Sequence, residues 1–239
     1  MRSIRYCGVD FSAWCSAEVV EACGHAVEPR TVAVPGRAGA ALLGGEIPPK
    51  VLRVRLYWDA LLGLDAAARA KARHEVYAAL LQTSGGELVV PGDPELTYRD
   101  AVCTGCGSLS SLFADGHAEV EFTCYDPIGY GARRATDAAA FQVGGSWPTW
   151  PVVALVAAVG SAVEVADGDS GACVLVQKAF GGGEKVVIDF GAETCVVDGA
   201  NASACVAVES EFFSLAPGAH ELAFGGCRSH SVAWFERWA

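Results

Sequence analysis

No apolar run in this chain is long enough to cross a bilayer. The longest, Val152 to Val163, is interrupted by Gly160 and Ser161 and falls short of the ~20 residues that a spanning helix needs. The start lacks the apolar core of a signal peptide, because Arg2, Arg5 and Asp10 stand where it would lie. Synthesis and assembly in a cytoplasm are therefore expected, without membrane insertion. Basic residues are also scarce, 17 against 28 acidic, for a net charge of −11. Clamping nucleic acid takes a basic patch that releases counterions from phosphate, so sequence-specific nucleic-acid binding is not expected. The acidic balance instead suits a surface that DNA slides past without sticking.

The signatures of catalysis are missing as well. No GxSxG elbow precedes a helix, and Ser229-His230-Ser231 lacks the context of an activated nucleophile. The five histidines form no HExxH, and His74 falls on the polar side of an ordinary helix. Gly181-Gly182-Gly183 is followed by Glu184-Lys185 and a strand, whereas a P-loop needs GxxxxGK[ST] opening a helix, so a hairpin turn is expected there. Cys103 and Cys106 form one isolated CxxC with no second pair at finger spacing, and no thioredoxin-like βαβ pattern surrounds them. No catalytic residue, cofactor or metal ligand is assigned, and the chain is not expected to be an enzyme.

What the sequence does hold is core-forming material. Hydrophobic residues make up 52% and charged residues 19%, enough apolar side chain to fold. A mean hydropathy of +0.31 is high for a monomer and points to a buried subunit interface. Most of the ten cysteines have apolar neighbours, as Cys173, Cys195 and Cys205 do, and read as reduced core thiols.

The first half mixes strands with one helix. Val51 to Trp58 alternates, with Leu52, Val54 and Leu56 on one face and Arg53, Arg55 and Tyr57 on the other. Asp65 offers an N-cap, and apolar residues at helical spacing up to Leu81 predict a helix from Asp65 to Gln82, closed by Gly85-Gly86. Glu87 to Val90, Leu96 to Cys103 and Ala118 to Cys124 follow as strands; in the last, Ala118, Val120, Phe122 and Cys124 share a face. Gly129 to Trp150 reads as an extended connector, with a domain boundary near Gly144, giving domains 1–143 and 144–239. The second half is a series of short Val-rich runs: Val152 to Val159, Ala162 to Ala166, Ala172 to Gln177, Lys185 to Phe190 and Thr194 to Val197. Cys205 to Val208, His220 to Phe224 and Ser231 to Phe235 complete it. Short strands broken by turns such as Asp167-Gly168, Asp198-Gly199 and Pro217-Gly218 predict an antiparallel β-sandwich. Trp147, Trp150, Trp234 and Trp238 lie in or near that sandwich and support the alternative of a carbohydrate-binding module in host-surface adhesion, although Trp234 alternates with Val232 as an inward residue would.

Val32 to Gly39, Val120 to Pro127 with Tyr130-Gly131, Gly145 to Pro151, and Ile188-Asp189 with Val197 to Gly199 and Phe212 to Gly218 together resemble the distal tail protein family of siphophages. Val32-Ala33-Val34-Pro35-Gly36-Arg37-Ala38-Gly39 is similar to its PGRxG segment. Val120 to Pro127, followed by Tyr130-Gly131, resembles the F-x-C-x-D-P…Y-G run that closes its first domain. Gly145-Ser146-Trp147-Pro148-Thr149 with Pro151 resembles the G-T-x-P-T-x-P entry to its second. Ile188-Asp189, Val197-Asp198-Gly199 and Phe212-Phe213-Ser214-Leu215-Ala216-Pro217-Gly218 look like its "ID…NG…FFxLxPG" pattern, with Asp198 where Asn is commoner.

The resemblance implies a mainly β chain. Its N-terminal α+β domain would carry one helix and a belt-like arm, and its C-terminal domain would be a galectin-like antiparallel β-sandwich. It implies a structural protein of a siphophage or prophage tail, a baseplate hub in which six copies form a ring. That hexamer would join the tail tube to tail-tip or receptor-binding proteins within the virion, with DNA passing through its lumen.

Overall fold

The computed structural model describes residues 3–22, 27–58, 63–107 and 115–239. The chain divides into two compact units, Met1–Tyr130 with Ala239, and Gly131–Trp238.

The first unit contains β1 (Arg5–Tyr6), β2 (Val9–Asp10), β3 (Ser16–Ala22), β4 (Glu28–Ala33), β5 (Ala40–Glu46) and β6 (Lys50–Tyr57). The helix α1 (Ala66–Leu80) follows, then β7 (Gly86–Val89), β8 (Tyr98–Gly105) and β9 (His117–Cys124). Seven of the strands form one sheet in the order β2-β1-β7-β8-β9-β6-β3. The two alternating segments pair directly, Leu52 opposite Phe122, Val54 opposite Val120 and Leu56 opposite Ala118, all buried. On the outer face Arg53 bonds Glu21 at 2.8 Å and Glu121 at 3.2 Å, while Arg55 reaches Glu119 at 2.5 Å. These exposed pairs match charges across the strands and add only ~0.2–1 kcal/mol each.

The helix starts as expected, with the Asp65 carboxylate accepting from Ala68 N at 2.7 Å. Its buried face is Ala72, Val76, Ala79 and Leu80, in one cluster with the sheet's apolar side. Leu81, expected on that face, is the C-cap and exposed, because the chain leaves helical geometry there.

The second unit is a sandwich. It draws on β10 (Gly129–Thr136), β11 (Ala140–Val143), β12 (Val152–Ala157), β13 (Gly160–Asp167), β14 (Cys173–Phe180) and β15 (Lys185–Asp189). β16 (Thr194–Val197), β17 (Ala200–Asn201), β18 (Gly218–Gly225) and β19 (Cys227–Trp238) complete it. One sheet runs β10-β19-β12-β15-β16-β17 and the other β11-β18-β13-β14. Val153, Leu155, Ile188, Val232 and Trp234 of the first join Val163, Val165, Val174, Val176 and Leu222 of the second in a single core. Each set sits at alternate positions, as a half-buried strand requires.

Three expectations are corrected. The segment expected as a connector forms β10 and β11 before Gly144 is reached, and β11 pairs with β18 from Ala140↔Glu221 to Val143↔Gly218. Short Gly-, Ala- and Arg-rich strands carry little apolar pattern, so only their pairing partners reveal them. Gly181 to Gly183 does not turn a hairpin, because β14 and β15 lie in different sheets. Cys205 to Val208 is no strand: Ser203–Cys205 forms a 3-10 turn, Val206 makes one bridge to Val176, and Val208 is exposed.

Candidate functional site

The hairpin β4–β5 contributes no residue to the core of its unit. Every residue of β4 is exposed, as is every residue of β5 except the half-buried Ala41. The two strands form their own two-stranded sheet, with Thr31 opposite Leu42 and Val32 opposite Ala41. A bulge between Arg30 and Thr31 leaves Leu43 as the extra residue, so Leu42 and Leu43 are both 70% exposed. Val27, Val32 and Val34 are exposed beside them, and Arg30 pairs with Glu46 near the base. The tip is the Pro35-Gly36-Arg37-Ala38-Gly39 segment; Gly36 and Gly39 take φ of 79° and 82°, and Arg37 N donates to Val34 O at 3.1 Å. An isolated two-stranded hairpin is marginal in water, and apolar side chains on it gain from cover by another surface.

The other resembling segments are structural. Phe122 and Cys124 are fully buried; the Asp126 carboxylate accepts from Tyr130 OH at 2.7 Å and Ile128 N at 3.3 Å. Thr149 and Leu215 exchange backbone hydrogen bonds at 2.9 and 2.7 Å, so the entry and C-terminal segments meet. Phe213 packs on Phe190 with centroids 4.6 Å apart. Asp198, at φ 48°, and Gly199, at φ 83°, turn a hairpin between β16 and β17, and the Asp198 carboxylate accepts from Lys185 N at 2.8 Å. Asp189 caps its turn by accepting from Gly191 N and Ala192 N.

The tryptophans divide. Trp234 is buried and stacks on Phe141 at 4.8 Å, in the core. Trp150 and Trp238 are exposed and Trp147 is half-buried. The Arg237 guanidinium lies 4.9 Å from the Trp150 ring centroid and donates to Pro148 O, occupying that indole's face. An open cleft of about 460 Å³ is lined by residues including Glu221, Arg228 and His230, with the His230 ring stacked on Phe224 at 3.8 Å.

In the glycine loop the Glu184 carboxylate accepts from Gly181 N at 2.7 Å and Gly182 N at 2.8 Å. Those backbone donors hold the Glu184 carboxyl below its usual range. The nine described cysteines are free thiols. Burial raises Cys103 to about 11, helped by Cys106, and raises Cys124 to about 12.

Residues 144–238 match the family model of the siphovirus-type tail component, C-terminal domain. No curated protein matches the chain in sequence. Over 99% of its length the chain superposes on 98% of the crystal structure of phage SPP1 Dit, described as a paradigm of the hub adsorption apparatus in phages infecting Gram-positive hosts, with a TM-score of 0.76 at 19% identity. A chain of the phage p2 baseplate, in its activated conformation with Sr, matches with a TM-score of 0.51 at 6% identity, over 91% of this chain and 90% of that one.

Proposed function

We propose, because residues 144–238 match the family model of the siphovirus-type tail component, C-terminal domain, that this chain is a distal tail subunit, a structural protein and not an enzyme, six copies of which close into a ring. The ring joins the tail tube to tail-tip or receptor-binding proteins, and DNA passes through its lumen. The observation that carries the reading is the β4–β5 arm. Among the described residues, Leu42 and Leu43 are left 70% exposed, and every other residue of the two strands except Ala41 is exposed as well. A belt laid over the neighbouring copy would bury Leu42 and Leu43, at ~25 cal/mol per Å² of apolar area removed from water. Such a head-to-tail contact closes into a ring when its rotation permits.

Light scattering and negative-stain imaging of the purified chain, alone and with its tail-tube partner, test this. A six-membered ring is the expected result. A species that stays monomeric in both preparations at tail-assembly concentrations overturns it.

A further inference from the structure

Strand alternation reserves certain positions for apolar residues, and two of them in the sandwich hold polar groups. On β13 the inward face runs Val163, Val165, Asp167; on β18 it runs His220, Leu222, Phe224. The register places Asp167 opposite Leu222, so His220 is its diagonal neighbour on the same face. Asp167 is 92% buried, since only 8% of its surface is exposed. A carboxylate in such a place is costly unless its oxygens are satisfied. Only one is. Oδ2 accepts from Ser170 Oγ at 2.5 Å and Ser170 N at 3.1 Å, which closes the Asp167–Gly171 turn. Oδ1 is sealed from solvent with no hydrogen-bond partner.

His220 shows the same division. Its Nε2 lies 2.6 Å from Ala216 O, and a carbonyl only accepts, so Nε2 carries the proton. In the neutral ring Nδ1 then presents a lone pair, and that atom too is sealed and without a partner. A backbone carbonyl fixing one ring nitrogen while the other stays open is the arrangement that orients a metal-binding histidine. Asp169, exposed on the same turn, supplies a third donor, and the three ligand atoms lie within 4.8 Å of one another.

We propose that Asp167, Asp169 and His220 bind a divalent first-row cation of the zinc type, with water completing the shell. One imidazole and two carboxylates suit zinc or cobalt, whereas calcium and magnesium favour all-oxygen sets. Bonds of ~2.0–2.2 Å require the donors to draw together, and the exposed Asp169 side chain is free to do so. The cation ties the β13–β14 turn to the start of β18.

Cobalt titration of the chelator-treated full chain is the test, because cobalt absorption distinguishes thiolate from nitrogen and oxygen ligands. One Co²⁺ per chain is expected, with ligand-field bands and no sulfur-to-cobalt charge transfer. Asp169→Asn and His220→Gln are each expected to weaken binding at least ~10-fold. Asp169→Asn changes only an exposed side chain and keeps the backbone of the turn, so this variant, checked by its unchanged melting without metal, separates loss of the ligand from loss of the fold. Absence of saturable binding, a charge-transfer band showing thiolate ligands, or affinity unchanged from the parent chain in both variants overturns the proposal.

Discussion

Gly145 takes φ of 102°, and a Cβ there would lie 2.3 Å from Arg237 O, whose carbonyl accepts from Ser146 N and Trp147 N. Gly199 also has positive φ, but its Cβ would meet open space. Gly145→Ala is therefore expected to destabilise the second unit by roughly 1–3 kcal/mol, and Gly199→Ala by less; thermal or denaturant melting of the two variants checks the order. The thiols supply a prediction in pH. Cys124, raised by burial from 9.0 to about 12, and Cys195, raised by burial to about 11, stay protonated in the fold when the unfolded chain has lost their protons. Between pH 9 and these values the unfolded state binds fewer protons, so stability falls as pH rises through that window. Brief alkylation near neutral pH, read by mass spectrometry, is expected to modify the exposed Cys7 while sparing Cys124 and Cys195. Equal labelling of the three would contradict their burial. The polar pair Asp167 and His220 was legible only in part: the Asp167-Gly168 turn is plain in the sequence, but its inward aim appears once β13 and β18 are paired.

At the scale of elements, periodicity served wherever a strand buries one face. β6 and β9 show their alternation directly, and α1 shows its Asp65 cap. β4 and β5 escaped that reading because neither face is buried within the chain, so no alternation marks them. The arm came instead through resemblance, at the PGRxG turn. The assembly role proposed for it predicts that the double substitution Leu42→Asp and Leu43→Asp, which introduces charge where a neighbouring copy would close, abolishes rings while leaving the melting of the isolated chain nearly unchanged. Exposed substitutions away from special features cost within ±0.5 kcal/mol. Light scattering set beside circular-dichroism melting reads both outcomes, and intact rings from this variant would remove the arm from the interface.

The whole molecule is two β units, and the family match lies in the second, residues 144–238, while the superposition on the SPP1 hub protein spans both. At 19% identity the superposition shows a shared fold, which turns and buried positions keep. The resembling segments bear this out: Phe122, Leu215, Asp189 and Asp198 fill cores or close turns. The sequence by itself determined the fold class, the alternating strands, the helix and its cap, and the turn chemistry. All of these depend on residues close along the chain, where side-chain period and backbone preference act locally. Tertiary structure alone decided that β14 and β15 part into opposite sheets, that β10 and β11 pair with distant strands, and that the arm is left uncovered. It also decided that Asp167 and His220 face one another. Those outcomes depend on which strands become neighbours across the sandwich, and hydrogen bonds between remote segments leave no periodic trace in the sequence.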